Sequence, residues 1–170
     1  VLIRIDTIQC ASVYHETEAV WVDDYLLKDA AAWLKEKPGI AWTEHVEFGE
    51  KLAKLAGVPY YGGGDDASAN IIHEDGKRSI VASVKAHHKG KNLQFFNRNL
   101  IVAPPSDGAT LEQLIGRSHR EGQKADEVEV YFYTHTPELN DALDKAIERA
   151  RYIAETTGSA QKLGYGTWAW

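Results

Sequence analysis

The chain has 170 residues, the length of one domain, and is 44% hydrophobic and 26% charged, which excludes a disordered or fibrous protein. No apolar run approaches the roughly 18 residues needed to span a bilayer, so a membrane protein is excluded as well. The formal net charge of −6 excludes a globally basic nucleic-acid binder, so any such surface has to be local.

Val1–Asp6 has no basic start, long apolar stretch or cleavage site, so no secretory leader is expected. The chain opens on Val1 and contains no Met, so a piece of something longer is expected. Residues 1–10 alternate as a strand does, residues 19–22 suggest a second strand, and Cys10 is expected in the core. Asp23 is placed to cap a helix that buries Leu26, Leu27, Ala30, Ala31 and Leu34 and stops at Lys37-Pro38-Gly39. A short strand over 39–43 follows, and Thr43 is expected to cap a helix over 44–56. That helix is expected to bury Val46, Leu52, Ala53 and Leu55 and to end at Gly57.

Val58–Tyr61 predicts a strand closed by a loop over 62–66. The β-branched runs 79–84 and 99–103 predict buried strands with a polar loop, 85–94, between them. A helix is expected from Leu111 to about Arg120, with Thr110-Leu-Glu-Gln113 as a capping box. Val128–Tyr133 predicts the last strand. Leu139, Ala142, Leu143, Ala146, Ile147, Ala150 and Ile153 predict a long helix that starts after Thr136 and stops at Gly158. Strands separated by helices predict an α/β fold: a mainly parallel sheet covered on both faces, with chemistry in segments that follow strands.

The segment Gln113-Leu-Ile-Gly116-Arg117-Ser-His119-Arg120-Glu-Gly122-Gln123 stands apart. Two arginines three apart on a helix would present both guanidinium groups from one face, an arrangement suited to a triphosphate. Gly116 would let a backbone or a phosphate approach closely. The string resembles motif VI of superfamily 2 helicases, Gln-x-x-Gly-Arg-x-x-Arg, and its continuation through Lys124 resembles the Swi/Snf-like branch. Upstream, Ser83-Val-Lys85-Ala-His87-His88-Lys-Gly90-Lys-Asn92-Leu93 aligns without a gap with motif V of that branch, except that His87-His88 replaces two glycines. Gly39-Ile-Ala-Trp-Thr43-Glu-His45 resembles motif IV.

The resemblance covers about 39–135 and implies the second, C-terminal RecA-like lobe of an ATP-dependent DNA helicase or translocase. It implies one domain: an approach segment over 1–38, a motif-bearing core over 39–135, and a closing helix with tail over 136–170. Arg120 matches the arginine finger and Arg117 a second phosphate-facing arginine. Gln113, Gly116, Gly90 and Asn92 match positions around the nucleotide. Ser83, Lys85, Thr43 and His45 match the nucleic-acid grip. No Gly-x-x-x-x-Gly-Lys-Ser/Thr loop occurs, and no Asp-Glu magnesium motif follows a strand. ATP and Mg2+ are therefore expected to be held mainly by a first, N-terminal lobe, with this chain inactive alone.

DNA is the expected partner, read without regard to sequence, and RNA stays open. An intracellular, cytoplasmic setting is expected, and the compact length leans towards a bacterial or phage enzyme. A non-catalytic RecA-like module and a motor subunit of a restriction or repair complex are the alternatives. His45-x-Glu47 has no Pro-Cys-x-x-Cys partner, so no metal site is expected. The tail Tyr165-Gly-Thr-Trp168-Ala-Trp170 would either stack on bases or pack on the domain or a neighbouring lobe.

Overall fold

A computed structural model describes residues 23–88 and 90–166. The strands expected at 1–10 and 19–22, Cys10, and Trp168 and Trp170 of the tail lie outside the described residues.

Five short strands build the frame: β1 (Ile40–Thr43), β2 (Tyr60–Tyr61), β3 (Ile80–Ser83), β4 (Arg98–Ile101) and β5 (Glu129–Phe132). They pair in the order β2-β3-β1-β4-β5, every pair parallel, as the alternation of strands and helices predicted. All residues of β1, β3 and β4 are buried, as expected of strands covered on both faces.

The helices divide between the two faces. On one, α1 (Tyr25–Glu36) and α2 (Val46–Ala56) pack Leu27, Ala30, Leu34 and Leu52 on Ala41, Val81 and Leu100. On the other, α5 (Gly108–Ile115), α6 (Pro137–Thr157) and the short α7 (Lys162–Tyr165) cover Ile40, Trp42, Ile80 and Ile101 through Leu111, Leu114, Leu143, Ala146 and Leu163. Neighbouring strand residues alternate between the two cores, the period-2 geometry of a strand.

Several local expectations are corrected. Asp24, not Asp23, precedes α1, although Asp23 Oδ1 accepts from the Tyr25 N–H at 2.9 Å. His45 precedes α2, because Thr43 is the last residue of β1. Leu52 and Ala53 are buried as expected, but Val46 and Leu55 are exposed, and Gly49 and Ala56 complete the inner face. Gly49 is required there, since an added Cβ would stand 2.5 Å from the Tyr60 ring and 2.8 Å from Thr43 Oγ1. Residues expected in loops form two short helices, α3 (Asp65–Asn70) and α4 (Val84–His87).

The cap of α5 is Asp107 rather than Thr110. Its carboxylate accepts from the Thr110 N–H and hydroxyl at 3.0 and 2.6 Å, bonds that hold its pKa below the usual range. The long helix behaves as its sequence predicted: Thr136 accepts from the Leu139 N–H, Pro137 opens the first turn, and Gly158 closes it at φ 67°.

Candidate functional site

The segment that follows β3 crosses from the carboxyl end of that strand to the start of β4, and its middle is apolar. Leu93 and Phe96 are buried in the core, which anchors a stretch expected to be a polar loop. Between α4 and Leu93 the backbone turns through Gly90 at φ 71°, with open space where a side chain would stand.

The two arginines do not lie on a regular helix. α5 ends at Ile115 and the chain tightens: Arg117 N–H bonds Leu114 O, Ser118 N–H bonds Ile115 O, and Gln123 N–H closes back on Arg120 O. Such i→i+3 turns at a helix end are common, because the last carbonyls lack ordinary partners. Gly116 adopts an ordinary helical φ of −63°. A Cβ there would crowd the carbonyls of Glu112 and Gln113 at 3.2 and 3.3 Å.

The turn is fastened to the preceding crossover by four hydrogen bonds. Arg117 Nη1 donates to Lys91 O at 2.9 Å, and the Leu93 N–H donates to Arg117 O at 3.1 Å. Arg120 Nη1 donates to Asn92 Oδ1, and Gln123 Nε2 donates to Phe96 O at 3.0 Å. Beneath them runs a buried relay that the sequence did not signal. Asn99 Oδ1 accepts from Trp42 Nε1 and from Ser118 Oγ, each at 3.1 Å, tying the turn to two central strands.

Arg117 is half-buried and Arg120 exposed, and among the described residues neither forms an ion pair. Burial, and then the neighbouring Arg120 charge, push the Arg117 pKa down. Two adjacent cations without a carboxylate partner remain able to bind an anion with several oxygens. They line an open groove of about 470 Å³ together with Glu112, Gln113, Gly116 and Lys162. A larger cavity of about 720 Å³ adjoins it, sharing Arg120 and Lys162. It is lined by Ile115, Val130 and Phe132 and by the acidic Glu121, Asp126 and Glu127, so the groove itself is the cationic part. The residues present thus fit a polyphosphate.

Thr43, His45, Ser83 and Lys85 form a separate group at the carboxyl ends of β1 and β3. Thr43 and Ser83 are register partners, both buried, and Thr43 Oγ1 has no hydrogen-bond partner among the described residues. Lys85 and His45 are exposed beyond them, with Lys85 Nζ 3.5 Å from Glu44. Among the described residues no group of three or more His, Cys, Asp or Glu side chains is placed to hold a metal ion. No helix among them is long and apolar enough to cross a membrane.

His87, which takes a glycine's place in the motif, turns inward. It is fully buried, its Nε2 donates to Gly62 O at 2.8 Å, and its enclosed Nδ1 has no partner among the described residues. His88 folds back to bond Val84 O at 2.8 Å. Burial lowers the His87 pKa below its ordinary value of 6.5. The unfolded chain then binds the proton more readily than the folded one, so the stabilisation is complete above about pH 6.5 and is lost as pH falls below it. Urea unfolding at pH 7.5 and 5.5 should show wild type losing stability over that interval, at up to about 1.4 kcal/mol per pH unit. His87→Gln should flatten that slope, and an unchanged slope would exclude His87 as its source.

No family model matches the chain. A curated relative, the RNA polymerase-associated protein RapA of Vibrio campbellii, is 32% identical over 85 residues, half of this chain. The chain spans only 8% of the length of that relative. Among solved structures, the C-terminal part of the Fun30 ATPase domain superposes with a TM-score of 0.60 at 17% identity, covering 78% of this chain and 48% of the other. The Mycobacterium smegmatis helicase Lhr, bound to ssDNA and AMP-PNP, superposes with a TM-score of 0.54 at 16% identity, covering 75% of this chain and 19% of the other. These likenesses establish the α/β fold as RecA-like.

Proposed function

We propose that the chain is the second RecA-like lobe of a superfamily 2, Swi/Snf-like ATP-dependent DNA translocase or helicase, working with a first lobe that holds most of the nucleotide. One observation carries this reading. Arg117 and Arg120 stand on a groove whose lining carboxylate, Glu112, is bonded to the Lys162 and Leu163 N–H groups. Among the described residues neither arginine forms an ion pair, and both are fixed by hydrogen bonds to the Lys91–Asn92 backbone and side chain. A charge that is held in place and left uncompensated is suited to an anion arriving from outside the lobe. The RapA match and the likeness to Fun30 and Lhr lend support from fold and partial sequence.

The chemistry supplied in the cleft is phosphoanhydride hydrolysis of Mg2+-bound ATP. In this reading Arg120 offsets charge on the transferred group, Arg117 orients the oxygens from its carbonyl-fixed position, and Gln113, Gly116, Gly90 and Asn92 shape the wall. Exposed Lys85 and His45, over Thr43 and Ser83, meet a nucleic-acid backbone at the carboxyl edge of the sheet. Contacts of this kind position a strand without reading its sequence. The setting is intracellular, on DNA.

The grip is tested by fluorescence-anisotropy titration of the 170-residue chain with short DNAs of unrelated sequence at several salt concentrations. Binding is expected to be weak, independent of sequence and steeply weakened by salt. Neutralising Lys85 (Lys85→Gln) should reduce the salt slope by about one. A strong preference for one sequence would overturn the reading.

A further inference from the structure

The groove has a wall that none of the sequence motifs supplies. After Gly158 the chain returns over α5, and α7 docks on Glu112, one residue before Gln113. The Lys162 N–H donates to Glu112 Oε1 and the Leu163 N–H to Oε2 at 3.1 Å, while the Leu163 side chain is buried in the core. These bonds occupy both oxygens of a carboxylate that is itself almost enclosed. Lys162 Nζ stands 3.8 Å from Glu112 Oε1, an ion pair too long for a hydrogen bond. Its Cε lies 3.8 Å from where a Cβ of Gly116 would stand, so the stem runs over the turn that carries the arginines. The side chain is 30% exposed. The groove thus meets three cations, Arg117, Arg120 and Lys162, with a single carboxylate already bonded to backbone N–H groups.

We infer that Lys162 is a third phosphate-binding cation of this groove, carried in by the segment after the long helix and positioned by Glu112. This rests on the reading of the groove as a polyphosphate site. Lysine is well suited to such a role, since a compact charge on a flexible stem can swing from Glu112 to an arriving oxygen, whereas Arg117 is locked on two carbonyls. The bulk at Gly116 is limited by the same geometry, since a side chain there would meet the lysine stem as well as the helix carbonyls.

Isothermal titration of the 170-residue chain with inorganic tripolyphosphate tests the inference. Lys162→Gln should weaken binding about tenfold, the loss of one charge-assisted contact, and Lys162→Arg should retain it. Lys35→Gln, on the opposite face of the sheet, should leave binding unchanged. Lysine acetylation footprinting on wild type gives a reading that needs no variant to fold: tripolyphosphate should protect Lys162 and leave Lys35 reactive. If Arg120→Gln weakens binding while Lys162→Gln does not, and Lys162 stays reactive, this inference fails alone. If tripolyphosphate binding is indifferent to Arg117 and Arg120 too, the phosphate-groove reading fails with it.

Discussion

In the two-lobe protein proposed above, replacing Arg120 by alanine is expected to lower ATP hydrolysis by about 10³–10⁵-fold, the range that removal of an arginine finger spans. The same change should leave unfolding free energy within about 0.5 kcal/mol of wild type. The first half follows from the proposed finger role and the second from its position. Arg120 is exposed, its side chain donates to the exposed Asn92, and among the described residues no ion pair depends on it. Steady-state hydrolysis alongside urea unfolding separates the outcomes. A collapse in stability would make Arg120 a structural residue, and retained hydrolysis would remove the finger assignment.

The largest effect on stability is expected from Asn99→Ala. Asn99 is 2% exposed, and its Oδ1 serves the indole N–H of Trp42 and the hydroxyl of Ser118, both fully buried. Truncation leaves two enclosed donors without an acceptor, each costing about 1–3 kcal/mol, so a loss of about 2–6 kcal/mol is expected from chemical denaturation. Ser118→Ala removes one donor and leaves the Trp42 bond intact, so its cost should be the smaller of the two. If Asn99→Ala costs under about 1 kcal/mol, the relay does not hold the turn to the sheet. Asn99→Ala should also loosen the Arg117–Arg120 turn, since Ser118 sits between the arginines and anchors them to β4.

The pattern of apolar residues was enough to place the sheet. The runs 39–43, 79–84 and 99–103 read as short apolar strands and overlap Ile40–Thr43, Ile80–Ser83 and Arg98–Ile101, and the helices between them favour parallel pairing. Helix ends were readable where capping chemistry is local, as at Thr136 and Gly158. The pattern misled where two local solutions compete. Thr43 and Thr110 carry good capping side chains, yet the backbone enters α2 from His45 and α5 from Asp107. Burial of Thr43 in β1 outweighs the single hydrogen bond it could give as a cap. Val46 and Leu55 looked like core residues by helical period, but the close approach of α2 through Gly49 turned another stripe inward.

The identity and order of the motif residues, with Ser83 before Asn92 before Arg117 and Arg120, belong to the amino-acid sequence alone, as does the absence of a phosphate loop. Tertiary structure decided where those residues stand and what they touch. It ended α5 before the arginines, joined Arg120 to Asn92 across 28 positions of chain, joined Asn99 to both Trp42 and Ser118, and brought Lys162 beside Gly116. Periodicity reports burial within one element, since each side chain's face is set by its own helix or strand. A constellation of charges and their acceptors assembled from three segments depends on where the core lets those segments meet, and that is settled only when all of them pack at once.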